Sequence, residues 1–185
     1  MLKKAKPNDL LGRFREIVSD PLNLLIQRVP NAGIIENNNV LLHNGIKVPL
    51  SGPYSYYENF SQILVLNRGV REPLEEFIFQ QLLKKLHEKP LMLELGAYWG
   101  HYSMWLKKTL PNSIVHMIEP EPQNLNAGKY NFEINKLDGK FTNAFVGKGH
   151  FCVDKYLIEA EIRTLDILHC DIQGYELEML HDCSN

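Results

Sequence analysis

The sequence predicts an α/β protein with a mostly parallel sheet, and three observations support that class. From residue 91 onward, short apolar runs alternate with amphipathic segments of helical period. A glycine turn, Gly96–Gly100, separates the first apolar run, Leu91–Leu95, from the helical pattern that follows. Acidic residues occur at or directly after the ends of three apolar runs, at Glu94, Glu119 and Asp171. Alternation of this kind is typical of a parallel sheet covered by helices.

The composition is that of an ordinary globular chain of 185 residues, with 44% hydrophobic and 23% charged residues. The net charge of −2 provides no basic field for a nucleic-acid partner. No apolar run approaches the roughly 18 residues of a membrane span, and the three cysteines form no Cys-x-x-Cys pair. We therefore expect a cytoplasmic protein with no nucleic-acid or membrane partner and no metal site.

Residues 1–89 are predicted to form an N-terminal extension of helices and a β-hairpin. Two helices are expected first, over residues 10–18 and 22–29, because apolar residues recur on one helical face and Asp20-Pro21 separates the two segments. A longer helix is expected from Glu72 to about residue 87, since apolar residues recur there at spacings of three and four.

The hairpin is predicted between these helices. The Asn44-Gly45 pair separates residues 40–42 from residues 46–48, and Asn-Gly readily adopts the positive φ angles of a tight turn. The Asn37–Asn39 cluster that precedes the hairpin is typical of a loop.

Residues 90–185 are predicted to form the sheet domain. Its strands are expected at Leu91–Leu95, Ile114–Ile118, Phe141–Val146 and Ile167–Ile172. Its helices are expected at residues 101–108, from Pro120 or Pro122 to Ile134, and at Tyr175–Leu180. The fourth strand is apolar on both faces, and an exposed strand of that kind pairs readily with other chains. We therefore expect either that the C-terminal strands of the fold are missing after Asn185 or that a second copy covers this edge in a homo-oligomer.

The glycine turn carries the first candidate binding residues. Its glycines, Gly96 and Gly100, are spaced Gly-x-x-x-Gly, which differs from the Gly-x-Gly-x-x-Gly of dinucleotide-binding proteins. Glu94 would repel a pyrophosphate but suits a ligand with a cation or hydroxyl groups. S-adenosylmethionine carries an ammonium, a sulfonium and ribose hydroxyls, so it fits this pattern better than NAD. The alternative for the two glycines is a plain turn with a close helix–strand contact.

Two further acids follow predicted strands. Glu119 lies 25 residues after Glu94, close to the offset of about 20 at which nucleotide-binding folds place an acid for ribose hydroxyls. Asp171, before the Gln173-Gly174 turn, is a candidate acceptor for the methionine end of the cofactor or for a substrate hydroxyl. The alternative for both acids is a role at the start of a helix. Because the carboxyl ends of parallel strands share one edge, we expect all three acids to converge there.

With these motifs in place, the sequence resembles the FkbM-type family of S-adenosylmethionine-dependent methyltransferases. The resemblance covers residues 91–180 and rests on the following segments in order: Glu94–Ser103, Ile118–Asn124 with Asn131 and Asn135, Thr164-Leu165-Asp166, and Asp171–Glu176. Tyr98 stands where the family commonly has Asn, and Gln173 where it commonly has an acid. The family implies a Rossmann-like fold, S-adenosylmethionine as methyl donor, and usually O-methylation of a hydroxyl on a sugar or other small metabolite.

The implied reaction is direct displacement, in which a substrate oxygen attacks the methyl group and the protein mainly positions the reactants and excludes water. Asp171 and His101 are the candidate catalytic residues, and His150 is a further candidate for the general base. The expected partner is a small-molecule hydroxyl acceptor. The candidate cofactor-binding residues are Glu94, Gly96, Ala97, Tyr98, Gly100, Ser103, Glu119, Pro120, Asp171 and Gln173. Two alternatives are a non-catalytic interaction protein with a cofactor fold and, less favoured, an NAD-dependent oxidoreductase.

Overall fold

The chain forms two compact units, Met1–Lys85 and Leu86–Asn185. The computed structural model describes residues 10–57, 60–147 and 149–182. The boundary between residues 89 and 90 expected from the sequence falls just inside the second unit. No helix in the described part of the chain is long and apolar enough to cross a membrane.

The first unit combines short helices with a three-stranded antiparallel sheet. Its helices are α1 (Leu10–Ser19), α2 (Gln62–Leu66) and α3 (Pro73–Leu83), with a 3₁₀ helix at Pro21–Leu24. Its strands, in spatial order, are β1 (Ile35–Glu36), β2 (Asn39–Leu41) and β3 (Lys47–Pro49). The predicted hairpin is confirmed as the antiparallel pair β2–β3, with Gly45 at a φ of 81° in its turn.

Two expectations for the first unit change in extent. The expected loop is confirmed at Asn37 and Asn38, which form a tight turn with φ angles of 49° and 62°, since Asn tolerates the left-handed region. Asn39, which was also expected in the loop, begins β2. The expected helix over residues 22–29 is reduced to the 3₁₀ helix. Its continuation is prevented because the Val29 N–H donates to the His43 carbonyl at 2.8 Å.

The second unit is a parallel sheet with helices on both faces, which confirms the predicted α/β class. Its strands are β4 (Leu91–Leu95), β5 (Ile114–Glu119), β6 (Lys140–Asn143) and β7 (Ile167–Cys170). Its helices are α4 (His101–Thr109), α5 (Pro122–Ile134), α6 (Val153–Glu159) and α7 (Glu176–Asp182). The strand order is β6-β5-β4-β7, and every pairing is parallel. This is the 3-2-1-4 order of doubly wound, Rossmann-like sheets.

The two faces of this sheet are covered by different helices. Leu93 and Leu95 of β4 belong to one buried cluster with Val153 of α6 and Met179 of α7. Glu94 points to the opposite face, where it contacts α4. The connections from β4 and β7 therefore lead to opposite faces, and ligands of such sheets bind at this switch point, outside the carboxyl ends of the strands.

Several boundaries differ from those expected. α6 was not predicted. β6 ends at Asn143, because Val146 forms an isolated bridge with Phe151 instead of continuing the strand. β7 ends at Cys170 and is an edge strand among the described residues, with Ile167 buried and Leu168 41% exposed.

Asp166 ties β4 and β7 together at the amino ends of these strands. Its Oδ2 accepts a hydrogen bond from the Leu91 N–H at 2.8 Å, and its Oδ1 lies 2.9 Å from His87 Nε2. The Asp166 N–H in turn donates to the Leu91 carbonyl at 3.0 Å. The bonds from Leu91 and His87 hold the pKa of Asp166 below its ordinary value. This residue of the family-like Thr-Leu-Asp motif therefore serves strand pairing at the edge opposite the carboxyl ends.

We predict that Asp166→Asn lowers the melting temperature at pH 7, because it removes a charged acceptor from the β4–β7 junction. The pKa of Asp166 is lower in the folded than in the unfolded chain, so its contribution is present above the unfolded pKa and is lost as pH falls through the folded pKa. The difference in melting temperature between wild type and variant should therefore disappear below about pH 4. Glu133→Gln, which removes the same charge from the exposed side of α5, is the control. A gap independent of pH would contradict this role.

Candidate functional site

Three of the predicted motifs meet because three strands end in register. Leu95 of β4 is level with Ile118 of β5 on one side and with Cys170 of β7 on the other. The residues that follow these positions therefore lie together at the carboxyl edge of the sheet: Gly96, Glu119 and Asp171.

Gly96 brings two of these motifs into direct backbone contact. Its φ is 73°, and a Cβ at this position would lie 1.9 Å from the Asp171 carbonyl oxygen. The Asp171 N–H also donates to the Leu95 carbonyl at 3.0 Å, which extends the strand pairing by one bond. A side chain at position 96 would therefore separate the two turns, so the site requires glycine there.

Glu119 is held in one orientation beneath the glycine turn. It is 4% exposed, and its Oε2 accepts a hydrogen bond from the Tyr98 N–H at 2.8 Å. Its Oε1 accepts bonds from the Glu121 N–H at 3.0 Å and from Asn124 Nδ2 at 3.3 Å. A carboxylate has about four lone-pair sites, so these three donors orient the group and leave capacity for a further donor. Tyr98 itself has a φ of 48°, which is uncommon for a residue other than glycine.

Glu94 lies deeper in the same region and is bonded to α4. It is 2% exposed, and its Oε2 accepts bonds from the Ser103 N–H at 3.1 Å and from the Ser103 hydroxyl. Gly100, at the N-cap position of α4, has no side chain with which to cap the helix. Glu94 therefore satisfies an N–H of the first helical turn from the neighbouring strand. Its Oε1 lies 3.9 Å from Nδ1 of His169.

The turn after β7 presents Asp171 at the surface. Asp171 is exposed, and its Oδ1 accepts a bond from Gln173 Nε2 at 3.0 Å. Gln173 and Gly174 make the turn with φ angles of 57° and 104°. Glu176 accepts from the N–H groups of Ile172 and Gly174 at 3.1 and 3.0 Å. Hydrogen bonds from its own N–H and from Gly174 lower the pKa of Glu176. Glu176 thus stabilises the turn, and Asp171 is the acid presented at its surface.

The predicted base candidates differ in their access to solvent. His101 is 1% exposed, and its ring stacks on Trp99 with centroids 5.6 Å apart and contacts Tyr102 at 5.0 Å. Asp171 and His150 are exposed. An exposed group exchanges protons with substrate and solvent more readily, so Asp171 and His150 are better placed than His101 for this role.

The remaining predicted binding residues lie in or beside the same turns. The Ala97 N–H donates to the Ile118 carbonyl at 3.1 Å, and the Ala97 carbonyl accepts from Gly100 at 2.7 Å. The Pro120 carbonyl accepts from Asn143 Nδ2 at 2.7 Å. These contacts shape the backbone of the turns that surround Glu119.

Sequence reasoning assigned no role to two amides that support the site. Asn124 donates to Glu119, and buried Asn131 donates from Nδ2 to the Trp99 carbonyl at 3.2 Å. Both lie on α5, seven residues apart, which is two helical turns. That spacing of two amides after the Glu119-Pro120 pair was the available signal that one face of α5 contacts the glycine turn.

No family model and no curated protein sequence matches this chain. Among solved structures, the chain is similar to precorrin-6y C5,15-methyltransferase from Geobacter metallireducens, with a TM-score of 0.44 and 18% identity over 57% of this chain and 51% of that one. It is also similar to M. capricolum TrmK in complex with S-adenosylhomocysteine, with a TM-score of 0.37 and 13% identity over 51% of this chain and 40% of that one. The matched segment thus spans about half of the first neighbour and less of the second.

We predict that Gly96→Ala is far more destabilising than Gly174→Ala. Both glycines have positive φ, but a Cβ at position 174 would have no atom of the described residues within 4 Å, whereas one at 96 would meet the Asp171 carbonyl. Gly174→Ala should cost about 1–2 kcal/mol from backbone strain alone, and Gly96→Ala about 3 kcal/mol or more. Urea unfolding of the two variants measures the difference. Equal losses of unfolding free energy in the two variants would show that the close contact between Gly96 and Asp171 does not stabilise the fold.

Proposed function

We propose that this chain is an S-adenosylmethionine-dependent methyltransferase whose cofactor binds at the carboxyl edge of β4, β5 and β7. The observation that carries the proposal is the Glu119 carboxylate, which three donors hold beside the glycine turn. A buried, pre-oriented carboxylate at the end of the second strand of a parallel sheet suits the two hydroxyls of a ribose. Because its orientation is already set, little ordering cost remains when a ligand binds.

The glycine turn and the turn after β7 suit the other end of this cofactor. Gly96 has no side chain, so its turn lies directly against the Asp171 backbone and the two turns stand side by side at the carboxyl edge. Asp171, in contact with Gly96 through its backbone, offers an exposed carboxylate to an ammonium group. The methionine end would therefore lie over Gly96 and Asp171, and the ribose over Glu119.

The charge of the site favours this cofactor over NAD. The turns at the carboxyl edge carry Glu119, Asp171 and Glu176, and Glu94 lies buried beneath them. A cluster of carboxylates attracts a ligand with ammonium and sulfonium charges and repels a pyrophosphate. The spacing of Gly96 and Gly100 agrees, since it lacks the central glycine of the dinucleotide turn.

The acceptor proposed for this reaction carries a hydroxyl group. S-adenosylmethionine supplies an electrophilic methyl group when it is bound. Glu119, Gly96 and Asp171 would position the cofactor, and His150 would accept the proton that the acceptor hydroxyl loses. The order of the motifs supports a finer proposal, namely an FkbM-type enzyme that O-methylates a sugar or another small metabolite.

Ligand-dependent thermal unfolding tests the cofactor. S-adenosylmethionine and S-adenosylhomocysteine should each raise the melting temperature, because a ligand that binds only the folded chain at about 100 times its Kd adds about 2.7 kcal/mol. NAD at the same concentration should leave the melting temperature unchanged. A shift with NAD alone would favour an oxidoreductase. No shift with any of the three would contradict cofactor binding by this chain.

A second prediction concerns Glu119. Glu119→Gln should raise the Kd for S-adenosylhomocysteine at least about tenfold, because charge-assisted bonds to the ribose are lost. Calorimetric titration measures the change, and Glu121→Gln is the matched control. Glu121 is exposed, carries the same charge two residues away and donates a hydrogen bond to Glu119 from its backbone N–H, which the substitution keeps. An unchanged Kd for Glu119→Gln, or an equal loss for Glu121→Gln, would remove Glu119 from the ribose site.

A further inference from the structure

Two aromatic side chains from opposite edges of the sheet meet near its carboxyl end. β6 and β7 are the outer strands of the four-stranded sheet, so their axes are separated by three strand spacings, roughly 14 Å. Yet the ring centroids of Phe145, which follows β6, and Tyr175, which follows the turn after β7, are 4.9 Å apart, with an interplanar angle of 81°. The segments after the two outer strands therefore run toward each other.

The path of the first segment places this contact near the carboxyl ends of β4 and β5. Val146, next to Phe145, belongs to the buried cluster that contains Leu95 and Ile118, which form the last residue pair between β4 and β5. Tyr175 follows the Asp171 turn directly and precedes α7. The two rings thus lie close to the strand ends at which the cofactor is proposed to bind.

The aromatic pair is only partly covered. Phe145 and Tyr175 are each 39% exposed, and the ring of His150 packs edge-on against Phe145 with centroids 5.3 Å apart. At the neighbouring Gly149 and Gly174, an added Cβ would have no described atom within 4 Å. Two partly exposed rings and an imidazole therefore face solvent together, and flat apolar ligands can pack on such rings.

We propose that Phe145, Tyr175 and His150 form the acceptor-binding surface, and that the acceptor is an uncharged ring compound that carries a hydroxyl group. Aromatic rings bind flat apolar faces, and the polar atoms of the imidazole suit a hydroxyl at the edge of such a ring. Sugars and phenols share this chemistry. The inference rests on the proposed methyl transfer, since it assigns the second substrate of that reaction.

The carboxylates described near the two rings favour an uncharged acceptor. Asp171 and Glu176 belong to the turn that leads to Tyr175. On the other side, the Glu178 carboxylate lies 3.7 Å from the position that a Cβ of Gly147 would occupy. A phosphorylated or carboxylated acceptor would be repelled by this group of carboxylates.

The proposed methyl transfer needs no reactant besides the cofactor and the acceptor. The acceptor oxygen forms a bond to the methyl carbon as the carbon–sulfur bond breaks, and the bonding electrons return to sulfur to give the neutral thioether. The proton of the acceptor hydroxyl passes to His150, which contacts Phe145, and from there to solvent.

Saturation-transfer NMR on the full chain, in the presence of S-adenosylhomocysteine, tests the surface. The probes are methyl glucopyranoside and phenol, with glycerol as an acyclic control and glucose 6-phosphate as a charged one. The variants are Phe145→Leu and Tyr175→Leu, because leucine keeps apolar volume but removes the flat ring. Tyr57→Leu is the matched control, since Tyr57 is also an exposed member of an edge-to-face pair, with Tyr56, in the first unit.

We expect at least one ring probe to bind, glycerol and glucose 6-phosphate not to bind, and affinity to fall about three- to tenfold in the Phe145 and Tyr175 variants but not in the Tyr57 variant. Binding of methyl glucopyranoside would indicate a sugar acceptor, and binding of phenol would indicate a phenolic one.

Two results would overturn the inference. The ring probes could bind with unchanged affinity after both substitutions, or they could fail to bind to a wild type that binds S-adenosylhomocysteine. A fall in affinity for S-adenosylhomocysteine in these variants would also overturn it, since the rings would then hold the cofactor. A wild type that binds no S-adenosylhomocysteine would instead refute the proposed methyltransferase.

Discussion

The site depends on the parallel register of β4 with its two neighbours. Pairing of Leu95 with Ile118 and Cys170 brings three strands to an end at one level, and only then do the turns that begin at Gly96 and Asp171 touch. A shift of one residue in either pairing would turn the side chains that follow to the opposite face of the sheet. The register of the strands therefore determines which side chains meet at the site.

The carboxylates of the candidate site stabilise the structure and also supply the charge that the proposed cofactor would need. Glu94 caps α4 in place of Gly100, and Glu176 satisfies N–H groups of the turn after β7. Glu119 accepts a hydrogen bond from the Tyr98 N–H and can still accept a further one. Turns that need charged acceptors for their own N–H groups thereby acquire the negative charge that a cationic cofactor requires.

The α/β class and the position of β4 were predictable, because an apolar run of strand length ended in a glycine turn before a helical pattern. The convergence of Glu119 and Asp171 followed from parallel topology alone. The sequence did not reveal α6, which begins after an irregular segment, or the partners of Glu94 and Glu119. Several of those partners are backbone N–H groups, whose directions depend on the fold. The Tyr98 N–H, for example, reaches Glu119 from a residue with positive φ, a conformation that its residue type does not predict. The pairing of Phe145 with Tyr175 was equally hidden, since 30 residues separate them.

The most direct test of the central claim is a crystal structure of the chain with S-adenosylhomocysteine. We predict the ribose hydroxyls within about 3.2 Å of the Glu119 carboxylate and the amino-acid end over Gly96 and Asp171, with the glycine turn unchanged. The ligand in any other place, or a crevice that stays empty at saturating ligand while Glu119 keeps only its three present donors, would contradict the account.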